Sequence, residues 1–344
     1  MRPAGDKNHA NANDGSLGRE GNGRQVTAAG PARALEVSLM KAIRLHSHSG
    51  PESLAYEDAP TPRPGDGEVL VGVRAAAVTP TELGWVPTRT TRGGEPRPFP
   101  IIPGHEFSGD IRAVGAGVAD FVVGDTVFGM NDWYGDGAQA EYCVARVVDL
   151  ARTPHSIDFV HAAVTPISAL TAWQGLIERA RLARGERVLI HGAAGGVGVF
   201  AVQLARWCGA SVICTASAQN LEFVRGLGAD EVIDYRTERF EDLVRDADVV
   251  FDTVGGETLA RSWGVLKAGG RLITIAASVE RAPEKRVQDA FFIVEPNRDQ
   301  LARIASLIDG GDLQTIVGGV FPLEQARRAY EHKPIHGKVA LTVA

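Results

Sequence analysis

Two short stretches hold residues whose types and spacing could do chemistry. In Ile101 to Gly109, IIPGHEFSG, His105 and Glu106 stand side by side after a Pro-Gly turn, and both residue types bind zinc. In Val188 to Ala205, VLIHGAAGGVGVFAVQLA, an apolar run ends at His191 and passes through Gly192, Ala193, Ala194, Gly195 and Gly196, then through Val197 and Gly198 into a helical pattern. Small residues there let the backbone approach a pyrophosphate, whose charge meets the helix N-terminus and its free N–H groups. Ala193 replaces the first glycine of the usual G-x-G-x-x-G. A tight strand–helix turn with no ligand is the plainer alternative. Against it, the turn follows a strand, opens a helix and heads a run of strand–helix repeats.

The end of the next strand selects the cofactor. An Asp or Glu there would accept the ribose 2′-OH of NAD and repel a 2′-phosphate. The residues are CTASAQN, Cys214 to Asn220, with no acid. Ser217 can donate to a phosphate oxygen, Thr215 is a second candidate on the same strand end, and Tyr235 and Arg236 could close the pocket. That pattern favours NADPH. Ser217 could also cap the following helix and Tyr235 pack against it, and these roles are compatible.

The elements that position these residues follow from length and pattern. The chain has 344 residues, enough for two domains, and is 44% hydrophobic and 23% charged, as soluble globular proteins are. A net charge of −6 without a long basic run argues against a nucleic-acid surface, and no apolar stretch is long enough to span a bilayer. Cys143, Cys208 and Cys214 have no paired spacing, so free thiols in a reducing, cytoplasmic compartment are expected. The first 39 residues hold few bulky apolar side chains and are expected to be a disordered extension or a misassigned start, with the fold opening at Met40.

From there to about Ala151 the pattern is β-rich and reads as a small, partly open barrel. Glu68–Val78 is a long buried strand, Phe121–Met130 two short strands about Gly124-Asp125, and AEYCVA alternates again. A helical pattern spans His155 to Ala183. The apolar runs RVLIHG, SVICTAS, EVIDY, DVVFDTV and RLITIA then alternate with amphipathic helices, the signature of a parallel sheet covered on both faces. Asn297 caps a helix with Gln300 in the capping-box position and Leu301, Ile304 and Ile308 facing inward. A final strand, GKVALTV, is expected to return to the first domain. The fold class is α/β, a doubly wound Rossmann sheet plus a GroES-like β-barrel, with boundaries at 40–163, 164–290 and a return over 291–344.

With these residues in place, the chain resembles the zinc-independent quinone oxidoreductase branch of the medium-chain dehydrogenase/reductase superfamily. The resemblance runs from Met40 onward through AAAVTPTELGW, PGHEFSGDIRAVGAGVADFVVGDTVFG, ALTAW, HGAAGGVGVFAVQLA, LGADEVIDY, FDTVGG and HGKVAL. It implies that Thr79 faces the nicotinamide, where relatives have Asn or Cys, and that Thr171 lies near the nicotinamide ribose or phosphate. Gly195, Gly196 and Val197 match the pyrophosphate turn, and Ser217 and Tyr235 match 2′-phosphate contacts. Asn220 stands where relatives often carry a lysine that neutralises that phosphate. Ile275, Ala276 and Ala277 match the segment over ribose and nicotinamide, Phe292 and Val294 the backbone that holds the carboxamide, and Lys338 a terminal basic cofactor contact. A homodimer through the Rossmann sheet edges is implied as well.

Zinc relatives bind their catalytic metal through a Cys at the position of Thr79, the His of G-H-E, and a Cys shortly before T-A-W. These positions read Thr79, His105 and Ile167. One imidazole and one carboxylate do not replace two thiolates, so no metal is expected, and His105 and Glu106 read as structural. Without a Lewis acid, hydride still reaches an acceptor whose conjugation spreads the charge, a quinone or an α,β-unsaturated carbonyl. Tyr134, on the glycine-flanked loop NDWYGDG, is the candidate proton donor; Tyr142 reads as core and Glu82 as a structural ion pair. Two other functions fit less well. An enoyl-thioester reductase would use Arg89, Arg92 and Arg97 as a basic entrance, and an NADPH-binding protein without turnover would show none of this chemistry.

Overall fold

The computed structural model describes residues 38–276 and 283–344; most of the expected N-terminal extension, and Ala277, lie outside them. The first strand opens at Leu39, one residue ahead of Met40. Among the described residues seven strands precede the nucleotide sheet: β1 (Leu39–Leu45), β2 (Leu54–Pro60), β3 (Glu68–Val78), β4 (Glu106–Val114), β5 (Thr126–Met130), β6 (Tyr142–Arg146) and β7 (Leu150–Arg152). The residues Phe121–Val123 form no strand, contrary to the alternation. Asp125 accepts from the Val122 N–H at 2.9 Å and folds this stretch into a turn, leaving Val122 and Val123 exposed.

Five parallel strands follow: β8 (Arg187–His191), β9 (Ser211–Ala216), β10 (Glu231–Asp234), β11 (Ala247–Asp252) and β12 (Leu266–Thr274), in the spatial order β10-β9-β8-β11-β12. Their unbroken apolar runs have a direct cause. Val188 and Ile190 of β8 face one apolar cluster while Leu189 faces another, so successive side chains on both faces must be apolar. The order reverses between β8 and β11, and ligands of open α/β sheets bind outside the strand ends at such a reversal.

The last strands, β13 (Val317–Pro322) and β14 (Lys338–Thr342), return to the first sheet, whose order is β13-β14-β3-β4-β5-β7, with β6 also on β3. β3 thus shares one edge between two partners: β6 takes Glu68–Gly72 and β14 takes Ala75–Val78. In the helix Arg298–Asp309, Asn297 accepts from the Gln300 N–H at 3.0 Å and Leu301, Ile304 and Ile308 are buried, as the pattern indicates. The Gln300 side chain accepts from Gln174 Nε2 at 2.9 Å, which ties this helix to the one before the nucleotide sheet.

His191, the last residue of β8, is fully buried. Ser262 Oγ donates to the Thr258 carbonyl at 2.6 Å, so it accepts from His191 Nε2–H at 3.0 Å. Nδ1 then accepts from the Thr215 hydroxyl at 3.0 Å, and the ring is held neutral. Burial drives its pKa from 6.5 down to about 4. Below its ordinary pKa the unfolded chain takes up a proton that the folded chain refuses. The stabilisation is therefore complete above about pH 6.5 and declines as pH falls toward about 4. Between about pH 7 and about pH 5 the wild type should lose about 2 kcal/mol through this group. Urea unfolding will show it as a narrowing of the stability gap between wild type and His191→Asn.

Candidate active site

The nucleotide turn is built by close approach. Gly192 takes φ 72°, a conformation that favours glycine, and turns the chain as it leaves β8. A Cβ on Gly198 would lie 2.2 Å from the Gly192 carbonyl oxygen, so only glycine lets the helix Gly196–Trp207 start against the strand end. Gly195 is the N-cap and supplies no side-chain cap, which leaves the first-turn N–H groups at Gly196, Val197 and Gly198 available to an anion. This fits a pyrophosphate. Ser168, on the helix Pro166–Trp173, also borders the turn: its hydroxyl would lie 3.4 Å from a Cβ at Gly196.

On the adenosine side the structure separates Thr215 from Ser217. The Thr215 hydroxyl faces inward to His191, so it braces β8 and β9 and does not point toward a cofactor. Ser217 makes no helix cap. Its oxygen accepts from Asn220 Nδ2 at 3.3 Å, and its proton remains free to donate. Tyr235 is exposed with the Arg236 guanidinium 5.8 Å from its ring centre, consistent with a rim rather than packing. Asn220 is turned inward and donates to the Ile335 carbonyl at 3.0 Å.

That bond belongs to a contact the sequence does not reveal. The segment Ile335–Lys338 runs along the nucleotide turn: Gly337 N–H donates to the Ala194 carbonyl at 3.0 Å, Gly195 and Gly337 form a parallel bridge, and His336 stacks on Phe223 at 4.1 Å. Lys338 is thereby brought beside Gly196, but its ammonium is paired with buried Glu106. Glu106 also accepts from the Ile167 N–H at 3.0 Å. Burial pushes its carboxyl above the ordinary range, against the pull of Lys338. Thr171 donates to the Ile167 carbonyl at 2.6 Å, so its hydroxyl proton is engaged within its own helix. Ile275 is half-buried against the core, Ala276 N–H donates to Thr274 Oγ1 at 3.2 Å, and Phe292 and Val294 are buried beside the same sheet end.

The catalytic side of the cleft centres on Glu82. Its N–H donates to the Thr79 carbonyl at 2.9 Å, and its Oε1 accepts from the Gly104 N–H at 2.5 Å and from His105 Nδ1 at 2.8 Å. Thr79 Oγ1 and His105 Nε2 are left buried without partners, as is Oδ1 of Asn131, whose N–H donates to the His105 carbonyl at 3.2 Å. Each such atom costs about 1–3 kcal/mol unless something fills it. The Trp133 ring lies 5.2 Å from the His105 ring and 5.3 Å from that of Trp85. Of the two neighbours on this loop, it is Trp133 that packs on the imidazole. Tyr134 lies under the Arg92 guanidinium at 4.9 Å, and Arg92 also pairs with Asp132 at 2.6 Å. Arg97 donates to the Pro87 and Gly135 carbonyls at 3.1 and 2.6 Å, binding the two wall loops together. Arg97 therefore holds the wall, while Arg89 and Arg92 remain exposed on it.

These donors do not fit a catalytic zinc. Glu106 is held by Lys338, Ile167 offers a hydrocarbon side chain, and Thr79 is no thiolate. Burial pushes the Cys143 and Cys214 thiols far up, so both stay protonated. Among the described residues no group of three or more His, Cys, Asp or Glu side chains could hold a metal ion.

Comparison with known proteins agrees with this architecture. Residues 65–155 match the family model described as alcohol dehydrogenase GroES-like domain, and residues 227–340 the one described as zinc-binding dehydrogenase. An Arthroderma benhamiae protein, the probable zinc-binding oxidoreductase, mitochondrial, is 33% identical over 315 residues, 85% of this chain and 93% of that one. The NADPH-dependent alkenal/one oxidoreductase, chloroplastic, of Arabidopsis thaliana is 34% identical over 308 residues, 85% of this chain and 76% of that one. The structure of the quinone oxidoreductase from Coxiella burnetii aligns with a TM-score of 0.81 at 28% identity, covering 89% of this chain and all 100% of that one.

Breaking the Glu106–Lys338 pair from one side should be costly. Lys338→Met leaves a buried carboxylate unpaired and is expected to lower the unfolding free energy by about 3–5 kcal/mol, while adding Glu106→Gln recovers much of the loss. Chemical denaturation of wild type and both variants measures this.

Proposed function

This chain belongs to the medium-chain dehydrogenase/reductase superfamily and is an oxidoreductase; we propose that it moves hydride from NADPH to a quinone or an α,β-unsaturated carbonyl without a metal. The observation that carries this reading is the Thr79–Glu82–His105 site. It keeps two unpartnered polar atoms at the position where zinc relatives hold a metal, and it has no ligand set for one. A carbonyl oxygen, which accepts hydrogen bonds, suits such atoms.

The reduced nicotinamide supplies a hydride when bound. The chain's own residues supply everything else. The uncapped turn at Gly195, Gly196 and Val197 holds the pyrophosphate, and Ser217 with Arg236 and Tyr235 meets the 2′-phosphate. Asn220, bound to Ile335, adds no charge there, so the preference for NADPH over NADH is expected to be modest. Ile275 and Ala276, and the backbone at Phe292 and Val294, border the ribose and carboxamide. Trp85 and Trp133 exclude water from the reacting face. Thr171 and Lys338 act by placing the helix Pro166–Trp173 and the segment Ile335–Lys338. The outer strand β12 is the edge through which a homodimer would form. No helix among the described residues is long and apolar enough to cross a membrane.

Purified protein with a chelator present should consume NADPH against a simple quinone and a simple enone, and consume NADH more slowly. Loss of turnover on chelation, restored by zinc, would overturn the metal-free reading. Equal use of both cofactors would overturn the role of Ser217 and Arg236.

A further inference from the structure

His105 need not be a leftover of a metal site. Its Nδ1 and Glu82 Oε1 are 2.8 Å apart, and that oxygen also takes the Gly104 N–H at 2.5 Å. With Glu82 as a carboxylate, that oxygen accepts from both groups, Nδ1 is the donor and the ring orientation is fixed. Nε2, on the far side, is buried and unpartnered, and Thr79 Oγ1 is unpartnered on the turn that Glu82 closes. The groups around this dyad are few. Lys338 is paired with Glu106, and the Tyr330 hydroxyl bonds Gln139, with burial holding it well above its ordinary range. Trp133 packs beside the ring. A quinone or enone carbonyl brings only lone pairs, so the atom that complements it must donate.

We propose that His105, oriented by Glu82 and protonated on both ring nitrogens when substrate is bound, is a catalytic residue whose imidazolium donates its Nε2 proton to the acceptor's carbonyl oxygen, with the Thr79 hydroxyl as second donor. This rests on the reductase reading above. In an enone, hydride and its electron pair form the new C–H bond at the β-carbon, and the C=C electrons move to make an enolate whose oxygen takes the Nε2 proton. Imidazole and an enol remain with the oxidised cofactor; the enol becomes the ketone in water, and imidazole regains a proton from solvent. NADPH is the reductant, and the sum is NADPH plus one proton plus enone giving NADP⁺ plus saturated ketone. In a quinone the same proton yields the hydroquinone. A quinone gains an aromatic ring on reduction and is a far stronger hydride acceptor than an enone, so the quinone reaction depends less on the donor.

His105→Gln is therefore expected to lower kcat on the enone by about 100-fold or more, and on the quinone by less than about tenfold. NADPH affinity, read by fluorescence, stays within about twofold of wild type, and added imidazole restores part of the enone rate. Equal losses on both acceptors, or no loss, would overturn the assignment. A second measurement does not need turnover. With NADP⁺ bound, wild type should hold 4-nitrophenol, a stable oxyanion mimic, as the phenolate at a pH below the phenol's own pKa, and His105→Gln should hold it neutral or release it. If wild type turns over neither acceptor but shows this phenolate signal, the acceptor class is wrong and the role of His105 stands. Binding of the neutral phenol by both proteins, or one zinc per chain in wild type that His105→Gln lacks, would overturn it.

Discussion

A buried carboxylate needs a cation, and Glu106 finds one in Lys338 from the last strand of the chain. Much of the cleft is set by that pairing. It seats β14 against β3, brings Ile335–Lys338 along the nucleotide turn, and leaves the second oxygen of Glu106 for the Ile167 N–H at the start of the helix Pro166–Trp173. Strand, turn and helix come from three distant parts of the sequence, and one desolvated ion pair fixes their separation. Such pairs add little net stability over an apolar substitute, but they are intolerant of losing one member. Their value here is geometric.

The same pairing frees its neighbour. Glu106 faces Lys338 while His105, one residue earlier on the opposite side of the chain, faces Glu82. Adjacent residues at the start of β4 point to opposite sides, so one motif serves both the frame and the reacting face. The proximity of His105 and Glu106 in sequence reads as a single metal-binding unit, and in space they belong to two separate networks.

The parts of the fold that are legible in the sequence are those with a local cause. β8 to β12 are continuous apolar runs because both faces of that sheet are covered. The nucleotide turn is legible because Gly192 and Gly198 answer local steric demands. Phe121–Val123 misleads because one side chain, Asp125, overrides alternation. Thr215 and Tyr134 mislead differently. For each, which way the side chain turns depends on a distant partner, His191 in one case and Arg92 in the other. Asn220–Ile335 and Glu106–Lys338 join residues more than a hundred positions apart, and no periodicity announces them.

The position of β14 has a consequence for biosynthesis. Among the described residues this strand follows all the others in sequence yet lies inside its sheet, between β13 and β3. While the ribosome makes the nucleotide sheet, the Ala75–Val78 edge of β3 has no strand beside it, for roughly 10 to 50 seconds at about 5–20 residues per second. The nucleotide sheet can fold as a unit as it emerges, whereas the first sheet waits for β14 to emerge. An unpaired apolar edge is a template for pairing with other chains. Nascent chains stalled or truncated ahead of Lys338 are the ones that chaperones and proteases must handle.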